Sequence, residues 1–258
     1  MTRYHRHMLY RCRIPKPPLS EFVDQIWLYS GYSVPHKQER LMPTGTMELV
    51  LDLTSGSTVL AGVHSCPTVI ETGESMHILG VHFRPGGAFP FLGVPASELH
   101  NETVPLDAIW GSEAELVRER VLAATDDETR FDILEQTLFR RATTLQRHRA
   151  VAHGLFRLGN PVAVSEVVEE TGFSQRHFIE LFDAEVGLTP KLYARVARFQ
   201  RVLRRIHPMT EVDWSDVAIA CGYFDQSHLI HDFRSLAGLS PTEYATHKTE
   251  HLNHVPVV

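Results

Sequence analysis

The stretch that decides the fold runs from Thr189 to His207 and reads Thr-Pro-Lys-Leu-Tyr-Ala-Arg-Val-Ala-Arg-Phe-Gln-Arg-Val-Leu-Arg-Arg-Ile-His. Thr189 is a good helix N-cap, Pro190 suits the first helical turn, and Pro208 cannot continue a helix. Apolar residues recur at steps of three and four, at Leu192, Val196, Phe199, Leu203 and Ile206. The spacing therefore predicts one long helix with one buried face.

The rest of this helix is basic. It carries six cations and no anion, namely Lys191, Arg195, Arg198, Arg201, Arg204 and Arg205. A basic helix face is most simply a solvated surface, but clustered cations on one helix are also typical of nucleic-acid binding. The segments on either side of the helix decide between these interpretations.

These flanking segments are two copies of one unit. Gly172 matches Gly222 at an offset of 50. One extra residue in the second turn makes the offset 51 beyond it, where residues 187–190 (Gly-Leu-Thr-Pro) match residues 238–241 (Gly-Leu-Ser-Pro). Self-similarity at a fixed offset is a specific sign of a repeated supersecondary unit.

Each copy reads as a helix, a glycine turn and a second helix. Gly172 and Gly222 supply the left-handed conformation that ends a helix, and Ser174 and Asp225 can cap the helix that follows. This is the helix-turn-helix pattern, whose second helix enters the major groove of DNA. The predicted buried stripes of the two second helices are Phe178, Leu181 and Phe182, and then Leu229 and Phe233.

Residues 145–247 resemble the DNA-binding domain of AraC-type (AraC/XylS) bacterial transcription regulators. The resemblance rests on the turns Gly-Phe-Ser (172–174) and Gly-Tyr-Phe-Asp-Gln-Ser-His (222–228), on the two Gly-Leu-Thr/Ser-Pro-x-x-Tyr stretches, and on the basic helix. It implies two helix-turn-helix modules joined by one long helix, sequence-specific binding to double-stranded DNA, and neither enzymatic activity nor a cofactor.

The outward faces of the two recognition helices carry the candidate base contacts. On the first, Arg176, Ile179, Glu180 and Asp183 stand at i, i+3, i+4 and i+7, and on the second Ser227, Ile230, His231 and Arg234 do so. The predicted DNA-binding set is Gln175, Arg176, Ile179, Glu180, Arg195, Arg198, Gln226, Ser227, Ile230 and His231. Arg can fork onto guanine, Gln onto adenine, and Ile can meet a thymine methyl. The alternative is an ordinary solvated face, which two isoleucines at equivalent positions disfavour.

The sixteen histidines also suggest a metal site. His64, Cys66, His77 and His82 could supply ligands, but no Cys-x-x-Cys or His-Glu-x-x-His spacing is present, so no metal is predicted. His177 and His228, at equivalent positions of the repeat, are interpreted as packed structural residues. Three more histidines, His247, His251 and His254, are assigned to a loose tail.

The amino-terminal half reads as short strands followed by helices. Residues 1–15 show no clear period and are expected to lack regular structure. Predicted strands cover residues 25–29, 47–53, 58–63, 68–71 and 76–83, and predicted helices cover 88–92, 95–99, 106–110, 113–124, 128–142 and 148–158. Turn residues between the strands favour a barrel or sandwich. The fold class is therefore α+β, with a β-rich domain at 1–143 and an all-α DNA-binding domain at 144–258.

This half also resembles the amino-terminal domain of many actinobacterial-type regulators of the same family. The matching stretches are 41–43 (Leu-Met-Pro), 48–50 (Glu-Leu-Val), 83–88 (Phe-Arg-Pro-Gly-Gly-Ala), 92–99 and 104–106. The resemblance implies a sensor or oligomerisation domain without a common ligand. Arg84, before Pro85-Gly86-Gly87, is a weak candidate for holding an anionic effector, and a turn that feeds a helix explains the same residues.

Composition sets limits on function. The chain has 258 residues, 22% charged, with no apolar run long enough to cross a membrane. Cys12, Cys66 and Cys221 are too scattered for a disulfide framework, which favours a reducing cytoplasm. Residues 1–144 hold 13 Lys and Arg against 18 Asp and Glu, and residues 145–258 hold 12 against 13, so attraction to DNA must come from a local patch.

We therefore expect a cytoplasmic bacterial regulator that reads two successive major grooves and responds to a small effector. Further candidate partners are RNA polymerase and a second copy of the chain. Two alternatives stay open. In one, the amino-terminal half only dimerises and binds no ligand. In the other, it is an enzyme or metal-site domain fused to DNA binding.

Overall fold

The computed structural model describes residues 9–32, 34–73, 76–142 and 144–257. An amino-terminal part of antiparallel sheets with attached helices precedes a carboxy-terminal part that is almost entirely helical, which confirms the α+β class. The described strands are β1 (Leu9–Arg13), β2 (Val23–Tyr32), β3 (Gln38–Leu41), β4 (Glu48–Asp52), β5 (Thr58–Ala61), β6 (Thr68–Glu71), β7 (Met76–Phe83), β8 (Thr103–Pro105) and β9 (His254–Pro256).

The helices follow the predicted segments closely. They are α1 (Phe89–Leu92), α2 (Asp107–Trp110), α3 (Ser112–Ala123), α4 (Asp127–Arg141), α5 (Arg149–Leu158), α6 (Val164–Thr171), α7 (Gln175–Val186), α8 (Pro190–Ile206), α9 (Trp214–Ala220), α10 (Gln226–Ala237) and α11 (Pro241–His247). Short 3-10 helices cover Leu19–Glu21 and Ala96–Leu99. No helix in the described ranges is long and apolar enough to cross a membrane.

The strands form two open sheets rather than a closed barrel. The larger has the order β1-β2-β7-β4-β5-β8, and the smaller has the order β6-β3-β9. Paired strands are antiparallel throughout, and side chains alternate between faces, so that Ile26 and Leu28 of β2 are fully buried while Gln25 and Trp27 are not. Buried residues of β2, β4 and β7 and of α1 to α4 belong to the hydrophobic core.

Two sequence-based predictions about the chain ends were wrong. Within residues 1–15, of which 1–8 lie outside the described ranges, Leu9–Arg13 is a strand paired with β2. The predicted loose tail is ordered. Helix α11 ends at His247, and β9 then pairs with β3 and buries Val255. The sequence signal for β9 is weak because this three-residue strand is stabilised by a partner far away in the sequence and is too short to show a periodicity.

The two halves of the molecule share an interface along α8. The buried amide of Gln200 donates hydrogen bonds to the carbonyl oxygen of Pro43 and to Oδ1 of Asn253, both at 2.8 Å. Gly45 lies against Tyr193 of the same helix. The amino-terminal part therefore rests directly on the helix that joins the two helix-turn-helix modules.

Candidate nucleic-acid interface

The joining helix α8 has the caps and the buried face that the sequence predicts. The Thr189 hydroxyl accepts a hydrogen bond from the amide of Leu192 at 3.3 Å, and the helix continues to Ile206. Four of the five predicted stripe residues are buried, and Leu192 is partly buried. Packing of this apolar stripe, more than local propensity, stabilises a helix of this length.

The two turns also form as predicted. Gly172 has a φ of 73° and ends α6, and the Ser174 hydroxyl accepts a hydrogen bond from the amide of His177 at 3.3 Å. In the second module the Asp225 carboxylate accepts from the amide of His228 at 2.7 Å. Each cap fixes the direction in which its recognition helix leaves the turn.

On the first recognition helix, α7, the predicted base-contacting side chains share one outer face. Gln175, Arg176 and Glu180 are exposed, and Ile179 is partly buried. The Arg176 guanidinium, which is 89% exposed, donates from Nε to Oε1 of Glu180 at 2.8 Å. An exposed ion pair of this kind contributes little to stability, so it costs little to break.

On the second recognition helix, α10, the same arrangement recurs. Gln226, Ser227 and His231 are exposed, and Ile230 is partly buried against the core. The Ser215 hydroxyl of α9 lies 3.3 Å from Oε1 of Gln226 and orients this amide. In each module, the predicted residues of the recognition helix thus lie on one face of that helix. The residues of α7 and those of α10 form two separate sets.

The two predicted DNA-binding residues of α8 lie elsewhere. Arg195 donates from Nε to Oδ1 of Asp232 at 2.8 Å, and Arg198 donates from Nη2 to Oδ2 of the same carboxylate at 3.2 Å. Both guanidinium groups therefore form ion pairs within the protein, where α8 packs on α10. Their contact with DNA stays a prediction. Sequence reasoning missed Asp232 because a lone Asp in a helix resembles a solvated residue.

Other cations of α8 are also engaged within the protein. Arg201 donates to the carbonyl oxygen of Gly159, and burial lowers the pKa of this guanidinium. Arg205 forms an exposed ion pair with Asp216 at 2.8 Å. The six positive charges are therefore not one open basic patch, because several of them hold neighbouring elements.

The histidines lie in separate small contacts. His177 makes an edge-type ring contact with Phe173 at 4.9 Å between centroids, and His228 makes one with Tyr223 at 5.1 Å. Both histidines are exposed, so they are less packed than the sequence predicts. Among the zinc candidates, His82 binds Glu48 at 2.5 Å. No three His, Cys, Asp or Glu side chains of the described residues lie close enough together to hold a metal ion.

Arg84 lies at the junction of the two halves. Its Nε donates to the carbonyl oxygen of Ser20 at 2.9 Å, and it forms an ion pair with Asp24 at 3.0 Å. It lines a narrow gap together with Glu185, the residue next to the end of α7. Glu185 is buried and accepts a hydrogen bond from the amide of His148 at 3.2 Å, and its burial raises the pKa of the carboxyl group.

Sequence reasoning missed a second arginine at this junction. Arg147 lies over the ring of Phe22 at 5.6 Å, close enough to Glu185 and Arg84 for their charges to act on it. Burial lowers the pKa of this guanidinium, and its Nη2 atom is buried without a hydrogen-bond partner among the described residues. The basic composition of residues 140–148 could have indicated a charged junction, but not which side chain turns inward.

Comparison with known proteins agrees with this geometry. Residues 167–247 match a helix-turn-helix domain, and residues 12–105 match a domain of unknown function, DUF6597. A 91-residue segment is 33% identical to the probable transcriptional regulator LumQ of Photobacterium leiognathi and covers 34% of this chain. The chain spans about a third of the length of that relative (35%).

Two solved structures are among those similar to this chain. The DNA-binding domain of AdpA, solved with a target DNA, is 26% identical over 38% of this chain and 86% of its own length, with a TM-score of 0.33. A single-residue variant of ToxT from Vibrio cholerae, solved in its apo form, is 11% identical over 94% of this chain and 98% of its own, with a TM-score of 0.41. From the matched family model and the two capped modules we conclude that the carboxy-terminal part of this chain is a helix-turn-helix domain, which agrees with its resemblance to AraC-type regulators.

Proposed function

We propose that this protein is a transcription regulator that binds double-stranded DNA sequence-specifically and reads two successive major grooves. The observation that carries the proposal is the pair of capped recognition helices, each with its predicted base-contacting side chains exposed on one face, joined by α8. Two recognition helices joined by one connecting helix suit half-sites about one DNA turn, or ~34 Å, apart.

Arg176 is the side chain best suited to direct base recognition. It is long and almost fully exposed, and among the described residues its one ion pair is with Glu180. A guanidinium can fork onto O6 and N7 of guanine, and such a bidentate contact discriminates by about 1–3 kcal/mol. We propose that Arg176 exchanges Glu180 for guanine on binding, because the exposed ion pair is weaker than the contact that replaces it.

Selection of bound sequences from random DNA, followed by footprinting, tests this function. We expect enrichment of one motif and protection of two segments about one turn apart. The matched control for Arg176→Ala is Arg149→Ala, which removes an exposed arginine of α5 outside the proposed interface. Arg149→Ala should leave the motif and the specific affinity unchanged. Failure to enrich any motif with the wild-type protein would overturn the proposed function.

We further propose that a small anionic effector modulates DNA binding from the junction of the two halves. Support comes from Arg84 and Arg147, which lie close enough for their charges to interact, and from the buried Nη2 atom of Arg147, which has no hydrogen-bond partner among the described residues. The gap beside Arg84 does not admit a water molecule in this structure, so binding would have to part the halves slightly. The adjoining Val186 ends α7, which gives such a movement a route to the first recognition helix.

A thermal-shift screen with carboxylates and phosphates tests the effector. We expect a ligand that stabilises the wild-type protein and changes its DNA affinity, with both effects lost in Arg147→Met. A screen without a hit, together with ligand-independent DNA binding, would favour the alternative in which the amino-terminal half only dimerises.

The remaining assignments stay proposals. We propose the domain boundary between residues 143 and 144, supported by the end of α4 at Arg141 and the start of α5 at Arg149. Contacts with RNA polymerase and with a second copy of the chain are predictions of the family resemblance.

A further inference from the structure

A buried carboxylate joins the second recognition helix to the long helix. Asp232 of α10 is 3% exposed, and its two oxygens receive Arg195 and Arg198 of α8. Arg195 also donates from Nη2 to the hydroxyl of Ser235 on α10 at 3.3 Å. The Asp232 carboxylate thus binds two guanidinium groups. These contacts fix both the separation and the relative rotation of α8 and α10.

The same cluster reaches the turn that precedes α10. The Arg198 guanidinium lies over the ring of Tyr223, 4.4 Å from its centroid, and donates from Nη1 to the carbonyl oxygen of Gly222 at 3.4 Å. Asp232 therefore binds an arginine that also contacts the turn before α10, at Gly222 and Tyr223. A change at this carboxylate would be felt along the start of α10, where Gln226 lies.

The first module has no counterpart of this cluster. At the offset of 51, the position of Asp232 corresponds to Leu181, a partly buried apolar residue of α7. The end of α7 packs instead on the amino-terminal part, where Gly187 meets Val63 and the backbone of Ala96. The end of α10 also meets the amino-terminal part, because Arg40 donates from Nη1 to the carbonyl oxygen of Gly238 at 3.4 Å. What distinguishes α10 is therefore its pair of ion pairs to α8.

We propose that Asp232 is a positioning residue that sets the orientation of the second recognition helix for DNA recognition. The inference rests on the proposed DNA-binding function. Asp232 itself is buried and touches no base. It acts through Arg195 and Arg198, which hold α10 at the angle that presents Gln226 and His231 outward. Recognition groups must be held within about 0.5 Å and 10–20° of their working geometry, so a small rotation of α10 is enough to weaken its contacts.

Charge gives this role a distinctive signature. Asp232→Asn removes a negative charge and frees two cations, so electrostatic attraction to any DNA should stay equal or rise. A positioning role predicts the opposite for the preferred site, where the second module would lose its fit. Only a loss of specific affinity, together with unchanged or stronger non-specific affinity, identifies positioning.

The matched control is Asp216→Asn. Asp216 also links the second module to α8, through Arg205, but its side chain is 64% exposed and this ion pair lies at the surface. Both substitutions change the net charge by the same amount, and they differ in burial. We expect Asp216→Asn to behave as the wild type in specific affinity.

Titration and footprinting on the selected site decide the matter. Losing one of two tethered modules removes a gain of about 10²–10⁴, so a misoriented second module should lower specific affinity about 10- to 100-fold. Protection should fade only in the segment covered by α10. Equal behaviour of Asp232→Asn and Asp216→Asn, or equal fading of both segments, would overturn the proposal.

Two further measurements separate this result from misfolding and from failure of the proposed function. Asp232→Glu keeps the carboxylate and should restore part of the lost DNA protection. If Asp232 mattered only for stability, the specific DNA affinity of each variant would instead fall in proportion to its melting temperature. Arg195→Gln leaves Arg198 on Asp232 and should give a smaller loss in the same segment. If the wild-type protein selects no DNA motif, the proposed function fails first, and this inference fails with it.

Discussion

Substitution of Gly187 by alanine measures how firmly the amino-terminal part holds the first recognition helix. Gly187 follows α7 with a φ of 80°, and an added Cβ would lie 2.6 Å from Cγ1 of Val63 and 2.9 Å from the carbonyl oxygen of Ala96. Contacts this short force the two halves to shift. Gly172 is the matched control, because it follows α6 with a φ of 73° and an added Cβ would meet nothing within 4 Å.

The magnitude follows from these two environments. A left-handed alanine costs roughly 1–2 kcal/mol at either position. Only Gly187→Ala adds overpacking, which typically costs about 1–3 kcal/mol, and backbone of Ala96 is one of the clashing groups. The free energy of unfolding should therefore fall by about 1–2 kcal/mol for Gly172→Ala and by about 2–5 kcal/mol for Gly187→Ala.

Melting temperatures and limited proteolysis distinguish the two variants. One kcal/mol corresponds to about 2–4 °C in a protein of 150–250 residues, so Gly187→Ala should melt about 2–12 °C below Gly172→Ala. We also expect faster cleavage at the junction near residues 142–148 in Gly187→Ala, because the halves would separate more often. Equal melting temperatures and equal cleavage would refute the docking of α7 on the amino-terminal part.

Three further substitutions test other contacts. Arg176→Ala should cost about 1–3 kcal/mol on the selected site and relax preference at one base pair, and an equal loss on random DNA would show that Arg176 contacts only backbone. Gln200→Leu leaves two oxygen acceptors unpaired at the junction and should lower the free energy of unfolding by about 1–3 kcal/mol, measured by urea unfolding; no change would mean that this amide does not join the halves. Burial raises the folded-state pKa of Glu185 above its ordinary value of 4.5. The stability that Glu185 contributes is therefore fully present below pH 4.5 and is lost as the pH rises through the folded-state pKa. The melting temperature of Glu185→Gln relative to the wild type should therefore increase from pH 4 to pH 7, and a constant difference would contradict the raised pKa.

The parts of the fold that follow from the sequence are those determined by local chemistry. Gly172 and Ser174 encode a turn and a cap within three residues, and the structure forms both. The outward face of α7 could also be predicted, because helical spacing opposite Phe178 and Phe182 assigns each remaining position to a side.

The parts that escaped prediction depend on partners distant in sequence. β9 is a His-Val-Pro segment without a strand signal, and its pairing with β3 provides the missing stabilisation. The ion pairs of Asp232 join residues 34 and 37 positions apart, which no helical periodicity reveals. The basic face of α8 suggested DNA contact because sequence alone does not show that a buried carboxylate faces it.

The position of β9 has a consequence for the order in which the chain is made. β3 leaves the ribosome early, but β9, one of its two neighbours in the small sheet, follows much later. Glu39 of β3 and its partner His254 of β9 are 215 residues apart. During that interval one edge of β3 presents unpaired backbone amides and carbonyls, which are a template for association with other nascent chains. Synthesis of the DNA-binding half is therefore also the step that closes this edge, and a chain that ends before His254 would keep it open for its whole lifetime.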